Sequence, residues 1–392
     1  MRARVGPSPR LTHTHARASP TQVALVPTVG ATPVGGVRIS AVRAQLGEGA
    51  IWDAARRRLL FVDINRSRIY RYSPASGELD EYDLSAHTQH VSTVAPVEAR
   101  QIGSSSGASG TLDATTLQDA ASGEVVIVGT TDGIALYNFR TKAYTAHPAN
   151  GFLAQYERMN DGKCDPYGRF WVGSVAKTGP DGPSAAPLAG AAALWVLDGW
   201  AAAPAKALNG VTISNGLSWS AAKDTMWYID SSTLEVDAFN FQGPASPPAT
   251  PVAGALGTAA PPSAATAARA RRRAVRVTTA ASKSIPDGCC LDMHGCLWVA
   301  VFGAGEVRRY DPRSGEHLGT VELPVAAGVE STSCAFGGED MATLYVTTAC
   351  KFWPAEKMAE LHLGGRLFRV DKEALAALGE GIRGAPTHCF AL

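Results

Sequence analysis

Four oxygen-bearing side chains, each followed by glycine, recur along this chain: Glu48-Gly49, Asp161-Gly162, Asn215-Gly216 and Asp287-Gly288. Each opens the same short pattern, an oxygen donor, a glycine, two residues and then a fixed position, filled by Trp52, Asp165, Trp219 and Leu291. Two weaker copies offer Ser92 and Ser333 at comparable places without the glycine. One Asp-Gly or Asn-Gly by itself is a turn dipeptide. Four at the same place in a repeat are a pattern that asks for a chemical reason. Carboxylates and an amide oxygen are the ligands of a hard divalent cation such as Ca²⁺, Mg²⁺ or Mn²⁺. Zn²⁺ more usually brings His or Cys. Three carboxylates drawn together repel one another and turn neutral unless a cation joins them.

The elements that carry these residues read as strands. Short bulky runs punctuate the chain: Leu59 to Asp63, Arg169 to Gly173, Met226 to Asp230, Cys296 to Ala300 and Thr343 to Thr347. Most lead through a turn into a further strand, as in Ile69 to Pro74, Val307 to Pro312 and Leu367 to Asp371. A weaker sixth copy runs from Glu124 to Gly129, followed by Ile134 to Tyr137. With insertions discounted the period is about 45 residues, that of a four-stranded propeller blade. Six copies predict an all-β, six-bladed β-propeller. The innermost strand of every blade lines the central channel, so equivalent residues near its start converge on one mouth. The metal ion is therefore expected in that channel.

Bulk properties narrow the field. The chain has 392 residues, 45% of them hydrophobic, and a formal net charge of +1, which gives no reason to expect a nucleic-acid partner. Seven cysteines are scattered through apolar segments, which predicts reduced, buried thiols rather than a disulfide framework. No uninterrupted apolar stretch reaches the roughly 18 residues of a membrane span, so no membrane partner is expected, and reduced thiols point to a reducing compartment, so a cytoplasmic location is expected. The first acidic residue is Glu48, and six arginines precede it, an acid-poor composition shared with organelle targeting peptides. Residues 1–36 are thus expected to be a disordered or targeting extension, and 37–392 the propeller. Low-complexity insertions are expected at about 98–122 and 242–283. The basic run Arg269, Arg271, Arg272, Arg273 and Arg276 falls in the second and reads as solvated. Helical periodicity is nearly confined to Lys372 to Leu378. His13 and His15 lie in the extension, and His294 sits in a hairpin turn, where exposure is the default. No Gly-x-Ser-x-Gly elbow, phosphate loop or dinucleotide fingerprint is present.

Several longer segments resemble one family. They are Arg158-Met-Asn-Asp-Gly-Lys-Cys-Asp-Pro-Tyr-Gly-Arg169, Ile213-Ser-Asn-Gly-Leu-Ser-Trp219, Tyr228-Ile-Asp-Ser231, Ile285-Pro-Asp-Gly288 and Leu297-Trp-Val-Ala300. In this order they are similar to the regucalcin, senescence marker protein, gluconolactonase and luciferin-regenerating enzyme family, from about Val37 to Val370. The resemblance implies a six-bladed propeller that hydrolyses sugar lactones with one divalent metal ion. It implies that Glu48, Asn215 and Asp287 hold the metal, that Asp287 is also the catalytic base, that Arg158 and Asn160 contact substrate, and that Asp161 supports the metal site. One departure stands out. Where the regucalcin branch has an acidic substrate contact after the Gly173 region, this chain reads Ser174-Val-Ala-Lys177-Thr178. Two other readings remain open: a non-catalytic propeller binding calcium or a protein partner, and an ester or phosphotriester hydrolase using the same metal site.

Overall fold

The computed structural model describes residues 26–35, 39–99, 112–180, 185–243, 269–277, 284–324, 329–350 and 363–392. Most of the expected extension, with His13 and His15, lies outside the described residues, as do the Gly103 to Gly110 run and the centre of the second insertion.

Alternating buried and turn-forming runs fold into six antiparallel sheets. Blade 1 comprises Gly47–Asp53, Arg58–Asp63, Arg68–Ser73 and Glu78–Asp83. Blade 2 comprises Val91–Glu98, Val125–Thr130, Gly133–Asn138 and Tyr144–Ala146. Blade 3 comprises Glu157–Cys164, Phe170–Ala176, Ala192–Leu197 and Ala205–Val211. Blade 4 comprises Ser214–Trp219, Thr225–Asp230, Glu235–Asn240 and Arg269–Arg276. Blade 5 comprises Ile285–Leu291, Leu297–Phe302, Glu306–Tyr310 and His317–Glu322. Blade 6 comprises Glu330–Gly337, Thr343–Ala349 and Phe368–Val370. The first strand of each blade touches the first strand of the next, and the sixth returns to the first. That closed ring is the β-propeller expected from the repeat.

The chain ends do more than the sequence reading assigned to them. Thr32–Pro33 pairs with Phe368–Val370 and supplies the missing outer strand of blade 6. Thr28–Gly30 adds a fifth strand to blade 5, parallel to His317–Glu322. The propeller thus takes up two short segments before residue 37, Thr28–Gly30 and Thr32–Pro33. The basic run is not loop either: Arg269–Arg276 is the outer strand of blade 4, with Arg272, Arg273 and Arg276 exposed along it. Arginines on an outermost strand keep it from pairing with another chain. The first insertion also contains structure, a helix over Ala114–Ser122 capped by Asp113, whose carboxylate accepts from Thr116 N, and ended by Gly123 at φ 78°.

At the far end the chain crosses the ring. Gly384 N donates to Met341 O, Ala385 N to Leu291 O, Ala391 N to Gly168 O and Leu392 N to Glu98 O. Thr387 Oγ1 donates to Trp52 O at 2.7 Å. This segment caps a small cavity of about 50 Å³ lined by Lys163, Cys164, Cys290 and His388. The cavity lies two to four residues further along the inner strands than the repeated oxygen donors, so this end of the channel is closed.

Buried aspartates pin the hairpins that follow the inner strands. Asp292 accepts from His294 N, Cys296 N, Trp298 Nε1 and Arg309 Nε, all at 2.9–3.0 Å. Asp165 does the same for Tyr167 N, Arg169 N, Arg169 Nε and Trp171 Nε1. All seven cysteines are unpaired thiols, six of them buried, as expected from their apolar surroundings. His294 is exposed at its turn and lies against the Arg309 guanidinium. Among the described residues no helix is long and apolar enough to cross a membrane.

Candidate functional site

Every inner strand carries one extra residue relative to its neighbour, and always near its start. The register slips between Glu48 and Ile51, Val91 and Thr93, Met159 and Gly162, Ser214 and Leu217, Pro286 and Cys289, and Ser331 and Ser333. A bulge re-aims side chains and sharpens local twist. Six bulges thus fall at one level, toward the same end of the six inner strands. Glu48 stands at the edge of the first, Asp161 lies in the third, Asn215 in the fourth and Asp287 in the fifth. Blade 2 offers Ser92 here. Blade 6 offers Thr332 rather than Ser333, because the bulge falls one residue earlier than the sequence alignment of the repeats suggested.

The glycines in the pattern have a steric cause. A Cβ on Gly216 would lie 2.8 Å from Asp287 O, and one on Gly288 would lie 2.4 Å from Ser333 Oγ. A Cβ on Gly49 would lie 3.3 Å from Thr93 Cα, and one on Gly162 would lie 3.1 Å from Thr93 Cγ2. Gly216 and Gly288 mark places where neighbouring inner strands approach too closely for a side chain and Gly49 a tight one, whereas Gly162 is hemmed first by Trp171 O of its own blade, at 2.7 Å.

All the expected site residues are buried: Glu48, Arg158, Asn160, Asp161, Asn215 and Asp287 are each at most 9% exposed. Hydrogen bonds tie most of them into one chain. Arg158 donates to Asn160 Oδ1 at 2.9 Å and to Met159 O at 2.8 Å. Asn160 Nδ2 donates to Asn215 Oδ1 at 3.1 Å and to Ser214 O at 2.7 Å. Asn215 Nδ2 donates to Ser231 Oγ at 2.7 Å, and Ser231 Oγ donates to Pro286 O at 2.6 Å. The run ends on the residue before Asp287. The Asn215 amide is therefore oriented, its nitrogen toward Ser231 and its oxygen toward Asn160.

A common device holds the three expected ligands. The carbonyl of the residue before each accepts from a side chain of the preceding blade. Thr332 Oγ1 donates to Gly47 O, Asn160 Nδ2 to Ser214 O, and Ser231 Oγ to Pro286 O. Two strands are also gripped on entry. Asp63 accepts from Gln45 N and Leu46 N, and Asp230 from Thr212 N and Ile213 N. Sequence reasoning missed Ser231, Thr332, Asp63 and Asp230. The signal for the two aspartates was present, since both end a bulky strand of the repeat. Nothing in the sequence marks Thr332.

Burial pushes the Asp161 carboxyl upward, and the Lys163 ammonium opposes the shift. Asp161 Oδ1 accepts from Gly162 N at 2.7 Å, and Lys163 Nζ reaches across to Cys289 O at 2.7 Å. Among the described residues no group of three His, Cys, Asp or Glu side chains is gathered as a metal cluster. The set Glu48, Asn215 and Asp287 has only two carboxylates, and its third donor is an amide. A hard divalent cation fits that set: every donor atom is oxygen, and the amide oxygen retains a second lone pair beyond the one facing Asn160. Asn160 itself has both amide hydrogens committed to Ser214 and Asn215.

Comparisons with known proteins follow this geometry. A model of the SMP-30/Gluconolactonase/LRE-like region matches residues 46–350. Regucalcin of Gallus gallus is 31% identical over 353 residues, 89% of this chain and 96% of the relative. A solved luciferin-regenerating enzyme superposes with a TM-score of 0.67 at 23% identity, covering 92% of this chain and 100% of its own. Regucalcin from Agrobacterium tumefaciens, described as a calcium-binding protein, gives a TM-score of 0.66 at 19% identity, with coverages of 94% and 100%. The oxygen donors at the bulges lie on a scaffold these proteins share, and the chain belongs to the SMP-30/Gluconolactonase/LRE-like family.

Proposed function

We propose that the protein hydrolyses sugar lactones with the help of one divalent cation, calcium, zinc, manganese or magnesium, held by Glu48, Asn215 and Asp287. The observation that carries this reading is the bulge level, where Asn215 and Asp287 lie inside the register slips, Glu48 stands beside one, and the carbonyl before each is anchored by the preceding blade. Family membership supports it, since the family is named in part for gluconolactonase.

When bound, the cation supplies a Lewis acid that polarises the lactone carbonyl. Asp287 takes a proton from the attacking water. Arg158, tied at one side to Asn160, presents its guanidinium to the ring oxygen and hydroxyls of the sugar. Asn160 holds Arg158 and Asn215 in one frame and offers its oxygen's remaining lone pair to a substrate hydroxyl. Asp161 adds negative charge behind the site, balanced by Lys163.

The test is acid release from gluconolactone in a pH-stat, before and after chelation, with each of the four metals added back. Asp287→Ala is expected to lose turnover and metal binding together, and metal-dependent turnover retained in that variant overturns the assignment. Arg158→Ala is expected to raise KM with metal affinity kept. No chelator-sensitive hydrolysis of any lactone by the wild type would leave a cation-binding propeller without this activity.

A further inference from the structure

The connection from blade 2 to blade 3 ends in a tight turn over Ala154 to Glu157, at the head of the inner strand that bears Arg158. Glu157 N donates to Ala154 O at 3.0 Å, and Ala154 N donates back to Glu157 Oε2 at 2.8 Å. The other Glu157 oxygen accepts from Ser174 Oγ, and the Glu157 side chain is buried. A buried carboxylate thus fixes this turn from inside. The turn holds Tyr156 at φ 60°, a left-handed conformation that bulky residues avoid. Six other non-glycine residues share that conformation among the described residues: Arg57, Ser67, Lys142, Lys223, Leu234 and Met341. Each of those links two strands within a blade, whereas Tyr156 stands between blades, at the bulge end of the channel.

The turn presents the tyrosine outward. Its carbonyl accepts from Lys177 N at 2.9 Å, and its side chain is 44% exposed. Leu188 N donates to Ala176 O on the next segment, and Leu188 is 41% exposed. Only four large hydrophobic side chains are exposed among the described residues, and two of them flank this one edge. Strained backbone persists where surrounding structure over-determines it, and such residues gather at functional sites.

We infer that Tyr156 is a specificity-determining residue whose ring receives the C–H face of the substrate's lactone ring, an inference that rests on the lactone reading above. A sugar lactone has a polar rim of hydroxyls and an apolar face of C–H groups. Arg158, two residues further along the strand, is the group proposed above for the rim. An exposed aromatic face at the mouth matches the C–H groups, whose partial positive charge the ring quadrupole attracts. Leu188 extends the apolar edge.

Tyr156→Gly separates this role from a structural one, because glycine adopts positive φ without strain. The variant is expected to unfold no earlier than wild type and to bind Ca²⁺ and Mn²⁺ equally well. Its KM for gluconolactone is expected to rise about five- to tenfold with kcat within about twofold, the scale of one aromatic contact. For δ-valerolactone, which presents the C–H face without the hydroxyl rim, KM should rise by a similar factor. Tyr156→Phe keeps the ring and should behave as wild type. An unchanged gluconolactone KM in Tyr156→Gly, or an equal loss in Tyr156→Phe, overturns the inference while leaving the lactonase reading in place. A wild type inactive on every lactone overturns both.

Discussion

Gly216→Ala is the sharpest test of how the site is built. A Cβ at this position would lie 2.8 Å from Asp287 O, 2.8 Å from Cys289 Sγ and 2.9 Å from Cys289 N. Two of these three are backbone atoms of the blade 5 inner strand, which cannot swing aside as a side chain does. The strand must shift, and it carries Asp287 with it. Overpacking of this kind costs about 1–3 kcal/mol. For a cooperative unit of this size that lowers Tm by about 1–4 °C. A displaced ligand lowers metal affinity on the order of 10- to 100-fold, as other disturbances around metal ligands do. Gly30→Ala is the control, since nothing lies within 4 Å of its Cβ. Thermal unfolding and calorimetric titration with Ca²⁺ and Mn²⁺ measure both effects. If Gly216→Ala matches the control in Tm and in metal affinity, the close approach of blades 4 and 5 does not position Asp287, and the steric account of the repeated glycines fails.

Other predictions follow from the same contacts. Ser231→Ala removes the acceptor of Asn215 Nδ2 and the donor to Pro286 O; it should cost about 1–3 kcal/mol in urea unfolding and weaken metal binding by calorimetry. Asp292→Asn leaves the Arg309 guanidinium without its buried carboxylate and should cost about 3–5 kcal/mol, with metal affinity unchanged because the hub lies beyond the closed end of the channel. Burial lowers the pKa of His147, His317 and His388 below the ordinary 6.5. The unfolded chain then binds more protons below that value, so this stability is complete above 6.5 and lost as pH falls through the lowered folded-state values. Urea midpoints measured from pH 7.5 to 5 should decline, and the substitution of all three by glutamine should flatten the decline.

The six-bladed ring was legible because its causes are local and repeated. Bulky β-formers at a fixed period declare strands, and only radial closure hides that many edges. What escaped were elements whose cause is long-range. Thr28–Gly30 and Thr32–Pro33 look like leader, and only pairing with strands about 290–340 residues away makes them propeller. Arg269–Arg276 lacks apolar alternation because an outermost strand buries little, so composition alone placed it among solvated insertions. The helix at Ala114–Ser122 had its signals, an Asp cap and a Gly stop, within a stretch dismissed for its neighbours' composition. The oxygen donors were legible by type and spacing. The hydrogen bonds that aim them were not, because Thr332 and Ser231 act on carbonyls of another blade.

The bulge explains how a repeated scaffold yields an unsymmetrical site. All six inner strands slip register at the same level, so the backbone offers one irregular stretch per blade, in or beside the slip. The side chains there are not equivalent: Glu48, Ser92, Asp161, Asn215, Asp287 and Thr332. Serine and threonine leave two blades with neither carboxylate nor amide at this level, and Thr332 turns its hydroxyl to the Gly47 carbonyl instead. Asp161 is drawn to its own Gly162 amide and to the charge of Lys163. That leaves Glu48, Asn215 and Asp287 as the oxygen donors whose preceding carbonyls are anchored from the neighbouring blade. On the ligand set proposed above, symmetry supplies the places, and the fixing of three adjacent carbonyls distinguishes Glu48, Asn215 and Asp287 from the rest. Metal affinity in this channel should depend as much on Thr332, Asn160 and Ser231 as on the charge of the ligands themselves.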